Sequence, residues 1–439
     1  MLPTYFDLLQ MKESKMTYNP LLEMLRSRAD GEITGIPSIC SSHPLVIEAA
    51  LREGIANKTP VLIEATCNQV NQDGGYTGMT PSGFRLYVEQ IANKVGFDLK
   101  NLFLGGDHLG PNPWKDLPAT EAMEKADILI SQYVKAGFVK IHLDTSMACA
   151  DDHAPLSDTT IAERSARLAR VSENAASGLK PVYIIGTEVP IPGGAMEALD
   201  HLEVTSPDAA IATYEAHRSA FVKLKLEDAF SRVIGLVVQP GVEFGNENVV
   251  YYNPTAATEL SAALKQIPGI VFEAHSTDYQ PTSALSSLVK DGFAILKVGP
   301  GVTFAMREAL YGLDQIAGFL DQLGKADSLA EKLEQLMLAH PQHWQKYYPG
   351  NADAQRLQRH FSYSDRIRYY WPTDAATKAV DSLLSRLENR DLPEPLISQF
   401  LPKVYPLFAT QKQKPTAQTL IIEMIRLVIH DYEIACRRA

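Results

Sequence analysis

Eight short apolar runs follow one another along the chain, each closing on polar or glycine residues and each followed by a helix-like stretch. They are Gly35-Ile-Pro-Ser-Ile-Cys-Ser-Ser-His43, Pro60-Val-Leu-Ile-Glu-Ala-Thr66, Leu102-Phe-Leu-Gly-Gly-Asp-His108, Val139-Lys-Ile-His-Leu-Asp144, Val182-Tyr-Ile-Ile-Gly-Thr-Glu188, Ile234-Gly-Leu-Val-Val-Gln239, Ile270-Val-Phe-Glu-Ala-His275 and Phe293-Ala-Ile-Leu-Lys-Val-Gly299. A spacing of roughly 30–45 residues between such runs is the cadence of parallel strands joined by crossover helices. Amphipathic stretches at 44–56, 82–96, 119–136, 160–176, 207–224, 255–266, 281–290 and 303–322 fill the intervals. Eight strands alternating with eight helices predict an α/β fold, the TIM (β/α)8 barrel. Beyond about residue 325 the strands stop and helical patterns near 327–339, 352–361, 373–389 and 416–437 continue, broken by Pro372, Pro393, Pro395, Pro402 and Pro406. The expected organisation is a loose leader over 1–16, a barrel over 17–325 and a C-terminal helical extension over 326–439.

A chain of 439 residues suits one barrel plus an appendage, because single cores stop growing near 250–300 residues. The net charge of −11 leaves no cationic face for nucleic acid. No stretch reaches the roughly 18 apolar residues of a membrane span. The four cysteines, Cys40, Cys67, Cys149 and Cys436, are widely spaced and form no CxxC pair, which points to a reduced, cytoplasmic setting.

Parallel barrels place their chemistry at the C-terminal ends of the strands, so the polar residues closing each run are the first functional candidates. Strand three ends on Asp107-His108, an imidazole able to ligate a metal beside an acid expected to face another direction and to move protons. Strand seven ends Glu273-Ala-His275-Ser276-Thr-Asp278, and strand alternation puts Glu273 and His275 on one face, where they and Asp278, a candidate substrate or phosphate contact, would meet His108 across the mouth. Strand five offers Glu188 as a third metal ligand or as a general acid/base. Gln239, closing strand six, is a candidate substrate contact. Glu64 and Asn68 after strand two, with His142 and Asp144 on strand four, could orient the ligating residues through hydrogen bonds. Strand eight closes on Lys297 and Gly299-Pro-Gly301, where loop amides and a helix start could take a phosphate together with Ser276. Lys297 could alternatively form a Schiff base, provided its pKa were depressed. The aromatic run Phe361–Trp371 reads as an anchor for the extension, with Arg366 and Arg368 able to reach over a phosphate.

Six separated strings in order carry a resemblance. They are Ile63-Glu-Ala-Thr-Cys-Asn-Gln-Val70, Gly74-Gly-Tyr-Thr-Gly-Met-Thr-Pro81, Gly105-Gly-Asp-His-Leu-Gly-Pro-Asn112, Ile185-Gly-Thr-Glu-Val-Pro190, Glu273-Ala-His-Ser-Thr-Asp-Tyr-Gln280 and Tyr363-Ser-Asp-Arg-Ile-Arg-Tyr-Tyr-Trp-Pro372. From about residue 17 to the end the chain resembles the GatZ/KbaZ family, the non-catalytic Z subunit of class II D-tagatose-1,6-bisphosphate aldolase. The resemblance implies a role in sugar-phosphate metabolism, supporting the activity and stability of a separate catalytic Y subunit that is itself a zinc-dependent barrel. It implies an assembly, with copies of itself or with that partner. Some family members are labelled kinases, but no GxxxxGK[ST] loop is present.

Set beside the class II aldolase pattern, Asp107-His108 matches the acid and the first metal-binding histidine, and His275 matches the strand-seven histidine. Gln239 stands where those enzymes carry a further histidine. A divalent ion (Zn, Mn or Mg) on His108, His275 and Glu188, with Asp107, Glu188 and Glu273 as catalytic groups, is the expected site. The alternative to the subunit role is an autonomous metal-dependent C4-epimerase of fructose and tagatose 6-phosphates, working by retro-aldol and aldol steps.

Overall fold

Runs of Val, Ile and Leu bounded by glycine and proline leave no hydrophilic face, so these strands are stable only when covered on both sides. In the computed structural model, which describes residues 19–187, 202–322, 324–412 and 414–437, all eight form. They are β1 (Ile36–Cys40), β2 (Val61–Thr66), β3 (Leu102–Leu109), β4 (Lys140–Leu143), β5 (Val182–Ile185), β6 (Val233–Val238), β7 (Val271–Ala274) and β8 (Phe293–Val298). Neighbours pair in parallel and β8 closes onto β1, giving a closed eight-stranded cylinder. Outer helices return the chain between strands, and several start on a hydroxyl cap. Thr80, Ser157 and Ser206 accept from the amides of Gly83, Thr160 and Ala209, satisfying donors the first turn leaves open.

The barrel interior is split in two by chemistry. At the N-terminal end Ile36, Leu62, Phe103, Val182, Ile184, Ile234, Val271 and Ile295 form an apolar layer. The helix Pro20–Ala29 plugs it with Leu21 and Met24, a helix that the sequence pattern did not single out. Above that layer the inward side chains are charged: Glu64, Lys140, Glu273 and Lys297, all buried. Gly105 makes room for them, since a Cβ there would lie 2.4 Å from Glu64 Oε1.

The extension wraps the barrel. Its last helix, Ala417–Cys436, lies against the outer helices Pro44–Asn57, Thr282–Lys290 and Pro300–Asp321. Arg426 and His430 bind Glu53, and Tyr432 donates to the Thr277 carbonyl at 2.7 Å. The segment 362–371 crosses near the C-terminal mouth of the barrel and is latched there. Asp365, at φ +43°, accepts from Arg307 Nε at 3.0 Å and from the Thr303 hydroxyl at 2.7 Å. The Tyr363 ring packs on Tyr279 and Phe304, and its carbonyl accepts from the Tyr279 hydroxyl at 2.6 Å. A short antiparallel ribbon, Glu243–Phe244 with Val249–Val250, supplies Asn246, whose side-chain oxygen accepts from Ser362 and Ser364.

Arg307 is 1% exposed, so removing its counter-charge strands a guanidinium in the interior. Asp365→Ala is therefore expected to cost about 3–5 kcal/mol of stability, read as a lowered midpoint in denaturant unfolding. A loss below about 1 kcal/mol would show that the latch is not holding the segment.

Candidate metal and sugar-phosphate site

Adjacent residues on a regular strand point to opposite faces, so Asp107 and His108 could not both serve one mouth without a break in β3. The break is there. The register between β3 and β4 shifts between Gly106 and Leu109, and His108 takes a left-handed φ of +48°. This bulge turns both side chains into the same cavity, where the sequence reading had sent the acid elsewhere. A left-handed non-glycine residue is strained, and such strain persists where surrounding bonds fix it. Here the His108 amide lies 3.1 Å from His142 Nδ1, and His108 Nδ1 meets Asp144 Oδ2 at 2.8 Å.

Three imidazoles converge. The ring centroids of His108, His142 and His275 lie 4.9–5.3 Å apart. Together with Asp107 they can each offer one ligand atom within 4.8 Å of the others. Each ring has one nitrogen fixed by a carboxylate: His108 Nδ1 by Asp144, His275 Nε2 by Glu273 at 2.9 Å, and His142 Nδ1 by Asp107 Oδ1 at 2.9 Å. Of the opposite nitrogens, His108 Nε2 lies 3.7 Å from Asp107 Oδ2, beyond hydrogen-bond reach. His142 Nε2 is buried with nothing to bond to, and either tautomer of that ring leaves it so. A carboxylate behind each imidazole and a bare nitrogen in front is how metal-ligating histidines are held. The residues therefore fit a divalent cation, and three nitrogen donors suit Zn better than the more oxygen-seeking Mn or Mg.

Beneath the imidazoles lies the charged layer. Lys140 Nζ sits 2.6 Å from Glu64 and 2.8 Å from Glu273. Lys297 Nζ binds Glu64 and lies 3.0 Å from Asp107 Oδ2. Glu64, Asp107, Asp144 and Glu273 set four carboxylates against two ammonium groups. Against the effect of burial, Asp107 and Asp144 push the neighbouring His108 ring above its ordinary value.

Burial favours the neutral carboxylic acid, yet His108, Lys297 and His142 hold Asp107 well below the usual carboxylate range. The neighbouring carboxylates overcome the same burial to push Lys297 well above its ordinary value. That is the opposite of what a Schiff-base lysine needs, so that alternative is discarded. Burial lowers His275 to about 4, leaving a neutral ring with a free lone pair. The cavity above the cluster measures about 100 Å³ and is lined by Cys40, Asn68, Tyr76, Ser276, Arg368 and Tyr369 besides the groups already named.

Other expected residues fall in different places. Glu273 is fully buried beneath His275, away from the cavity wall, where it orients the ring and pairs with Lys140. The side-chain oxygen of Gln239 accepts from the amides of Gly241 and Val242, closing its own turn, and Gln239 is not among the lining residues. The amides of Gly299 and Gly301, expected to take a phosphate, both donate to Asp278 Oδ1, at 2.9 and 2.7 Å. Asp278 is thus the internal anion of that helix start rather than a neighbour of a bound one. Ser276 and Asn68 line the cavity, and Glu64 belongs to the charged layer. Glu188 lies outside the described residues. His142, expected only to support other ligands, is one of the three rings. Lys140, Cys40, Tyr76 and Tyr369 were not anticipated. Lys140 was legible from its place two residues before His142 on one strand face. A larger cavity of about 570 Å³, lined by Tyr311, Phe319, Arg356, Leu357 and Phe361, lies between the helix Pro300–Asp321 and the extension, and His108, His142 and His275 do not line it.

The fold and its mouth define a closed parallel (β/α)8 barrel with imidazoles and carboxylates gathered at the C-terminal ends of its strands. The chain belongs to the GatZ/KbaZ-like family, described as D-tagatose-1,6-bisphosphate aldolase subunit GatZ/KbaZ-like, which matches residues 21–437. It works in sugar-phosphate metabolism and resembles the Z subunit of that aldolase. A crystal structure from Sinorhizobium meliloti 1021, described as a probable tagatose 6 phosphate kinase, is 58% identical. It superposes with a TM-score of 0.86 over 92% of this chain and 100% of that one. A fructose-bisphosphate aldolase from Campylobacter jejuni is 14% identical, covering 88% of this chain and 94% of that one at a TM-score of 0.43. The YdjI aldolase of Escherichia coli K12 is 11% identical, with 83% and 95% covered and a TM-score of 0.43. No described helix is long and apolar enough to cross a membrane.

Asp278 gives a pH test. Burial raises its carboxyl to about 6, against the pull of the Gly301 and Gly299 amides, whereas the unfolded chain titrates near its ordinary value of about 3.9. A raised carboxyl contributes stability that is fully present below about pH 4 and is lost as the pH rises through about 6. Asp278→Asn keeps an oxygen for both amides. It is expected to flatten that part of the stability profile and to gain up to about 3 kcal/mol at pH 7.5, measured by denaturant unfolding across pH. An unchanged profile would refute the perturbed carboxyl.

Proposed function

We propose that this chain is a Z-type aldolase subunit that retains a working ligand site, with a divalent cation on His108, His142 and His275 beside Asp107 and a ketose phosphate in the cavity above. One observation carries the reading: three imidazoles each backed by its own carboxylate, with the orphaned Nε2 of His142 among them. An accessory surface alone has no use for such a mouth. A bound cation would supply Lewis-acid polarisation of the ketose carbonyl and a neighbouring oxygen. Asp107, kept ionised by Lys297, accepts a hydrogen bond from a sugar hydroxyl. Asp144 and Glu273 hold their rings in one orientation. Glu188 remains a proposed further ligand or acid/base group from the strand-five loop. The partner in this reading is a catalytic Y-type subunit, and the setting is cytoplasmic, in keeping with four free cysteines.

The family match favours the subunit role over autonomous C4-epimerisation. The intact Asp107 and imidazole cluster is the one observation that speaks for the latter. Metal analysis of the purified chain is expected to find about one divalent ion per chain. His142→Ala and His275→Ala are expected to lower metal affinity at least tenfold, with the fold kept as judged by circular dichroism. A metal-free protein that takes up neither Zn nor Mn would remove the proposed site. In the same preparation, stimulation of a Y-type aldolase without turnover of fructose or tagatose 6-phosphate by the chain alone is the expected pattern. Turnover by the chain alone would shift the role to the epimerase.

A further inference from the structure

Two cationic side chains line the cavity, Lys297 and Arg368. Lys297 is held by Glu64 and Asp107. Arg368 is not neutralised in this way. Its guanidinium donates to the carbonyls of Ser364 and Asp365 and to the Tyr369 hydroxyl at 3.1 Å. No carboxylate among the described residues lies within 4 Å of it. The nearest obvious candidate, Asp365, is taken by Arg307 and Thr303. Arg366, beside it, is likewise without a carboxylate and stacks on Tyr347 at 3.3 Å. Asp278, which lines the same cavity, feels the Arg368 charge, but no carboxylate among the described residues bonds either guanidinium. Although burial alone would raise it, the Tyr369 phenol is pulled below its ordinary value by Arg368 and Arg366.

The helix start that lines the same cavity is closed to anions. The amides of Gly299 and Gly301, at the start of the helix Pro300–Asp321, already hold Asp278 Oδ1 at 2.9 and 2.7 Å. A phosphate placed there would have to displace a buried carboxylate of its own sign.

Resting on the ketose-phosphate reading above, we infer that the cavity takes a sugar bearing a single phosphate, with Arg368 of the C-terminal extension as its anchor and Asp278 as the residue that excludes a second phosphate. The substrate class is then a ketohexose monophosphate, not a bisphosphate. The extension completes the site, since the barrel strands provide the imidazoles and the latch provides the phosphate anchor. Arg368 is the better residue for this than a lysine, because its planar fork matches two phosphate oxygens at once.

Isothermal titration of the full chain loaded with Zn or Mn tests this without requiring turnover. The probes are fructose 6-phosphate, fructose 1,6-bisphosphate and unphosphorylated fructose. The monophosphate is expected to bind at least tenfold more tightly than either of the others. Arg368→Gln is expected to weaken the monophosphate about 10- to 100-fold while leaving fructose unchanged, and Arg368→Lys to fall between. Asp278→Gly, with Asp278→Ser as a second variant should the first melt early, is expected to improve bisphosphate binding selectively. Equal binding of mono- and bisphosphate by the wild type, or monophosphate binding unaffected in folded Arg368→Gln, overturns the inference and leaves the sugar-phosphate reading standing. Failure of every ketose, phosphorylated or not, to bind overturns both.

Discussion

The charged layer inside the barrel is the interaction on which the rest depends. Glu64, Lys140, Glu273, Lys297 and Asp107 form a continuous chain of ion pairs across the cylinder. Ion pairs taken out of water are weak sources of stability, because desolvation offsets most of their attraction. Their value here is positional. Glu273 fixes the His275 ring, Asp107 fixes His142, and Lys297 fixes Asp107, so losing one member leaves several side chains without orientation. The apolar layer beneath, plugged by the helix Pro20–Ala29, carries the stability that this arrangement does not.

A second constraint comes from the extension. Helices that follow a closed barrel could pack anywhere on its outside, but the segment 362–371 is drawn to the mouth by the Asp365–Arg307 pair and the stacked rings of Tyr363, Tyr279 and Phe304. This brings Arg368 and Tyr369 to the cavity wall. Barrel and extension thus share one site, with the cation cluster on the strands and the Arg368 guanidinium on the latch.

Much of this could be read from the residues. The eight runs match the strands to within three residues because parallel strands are buried on both faces and show as unbroken apolar stretches. His108 and His275 stood out by position alone. Three features escaped because they depend on tertiary geometry. The bulge at Gly106–Leu109 cancels strand alternation, so Asp107 and His108 share a cavity against the rule for adjacent residues. His142 becomes a member of the cluster only once closure of the barrel sets β3 and β4 across from β7. Asp278 folds back onto the Gly299 and Gly301 amides, a contact across 21 to 23 positions in sequence that no local glycine pattern reveals. Gln239 looked available because its side chain ends a strand, but its own turn claims the oxygen.

Anomalous X-ray diffraction from crystals of this chain grown with Mn or Zn addresses the central point directly, since it locates the ion against named atoms. The account predicts one strong peak bonded at about 2.0–2.3 Å to nitrogens of His108, His142 and His275. A peak bound elsewhere, or none at full metal loading, would contradict it.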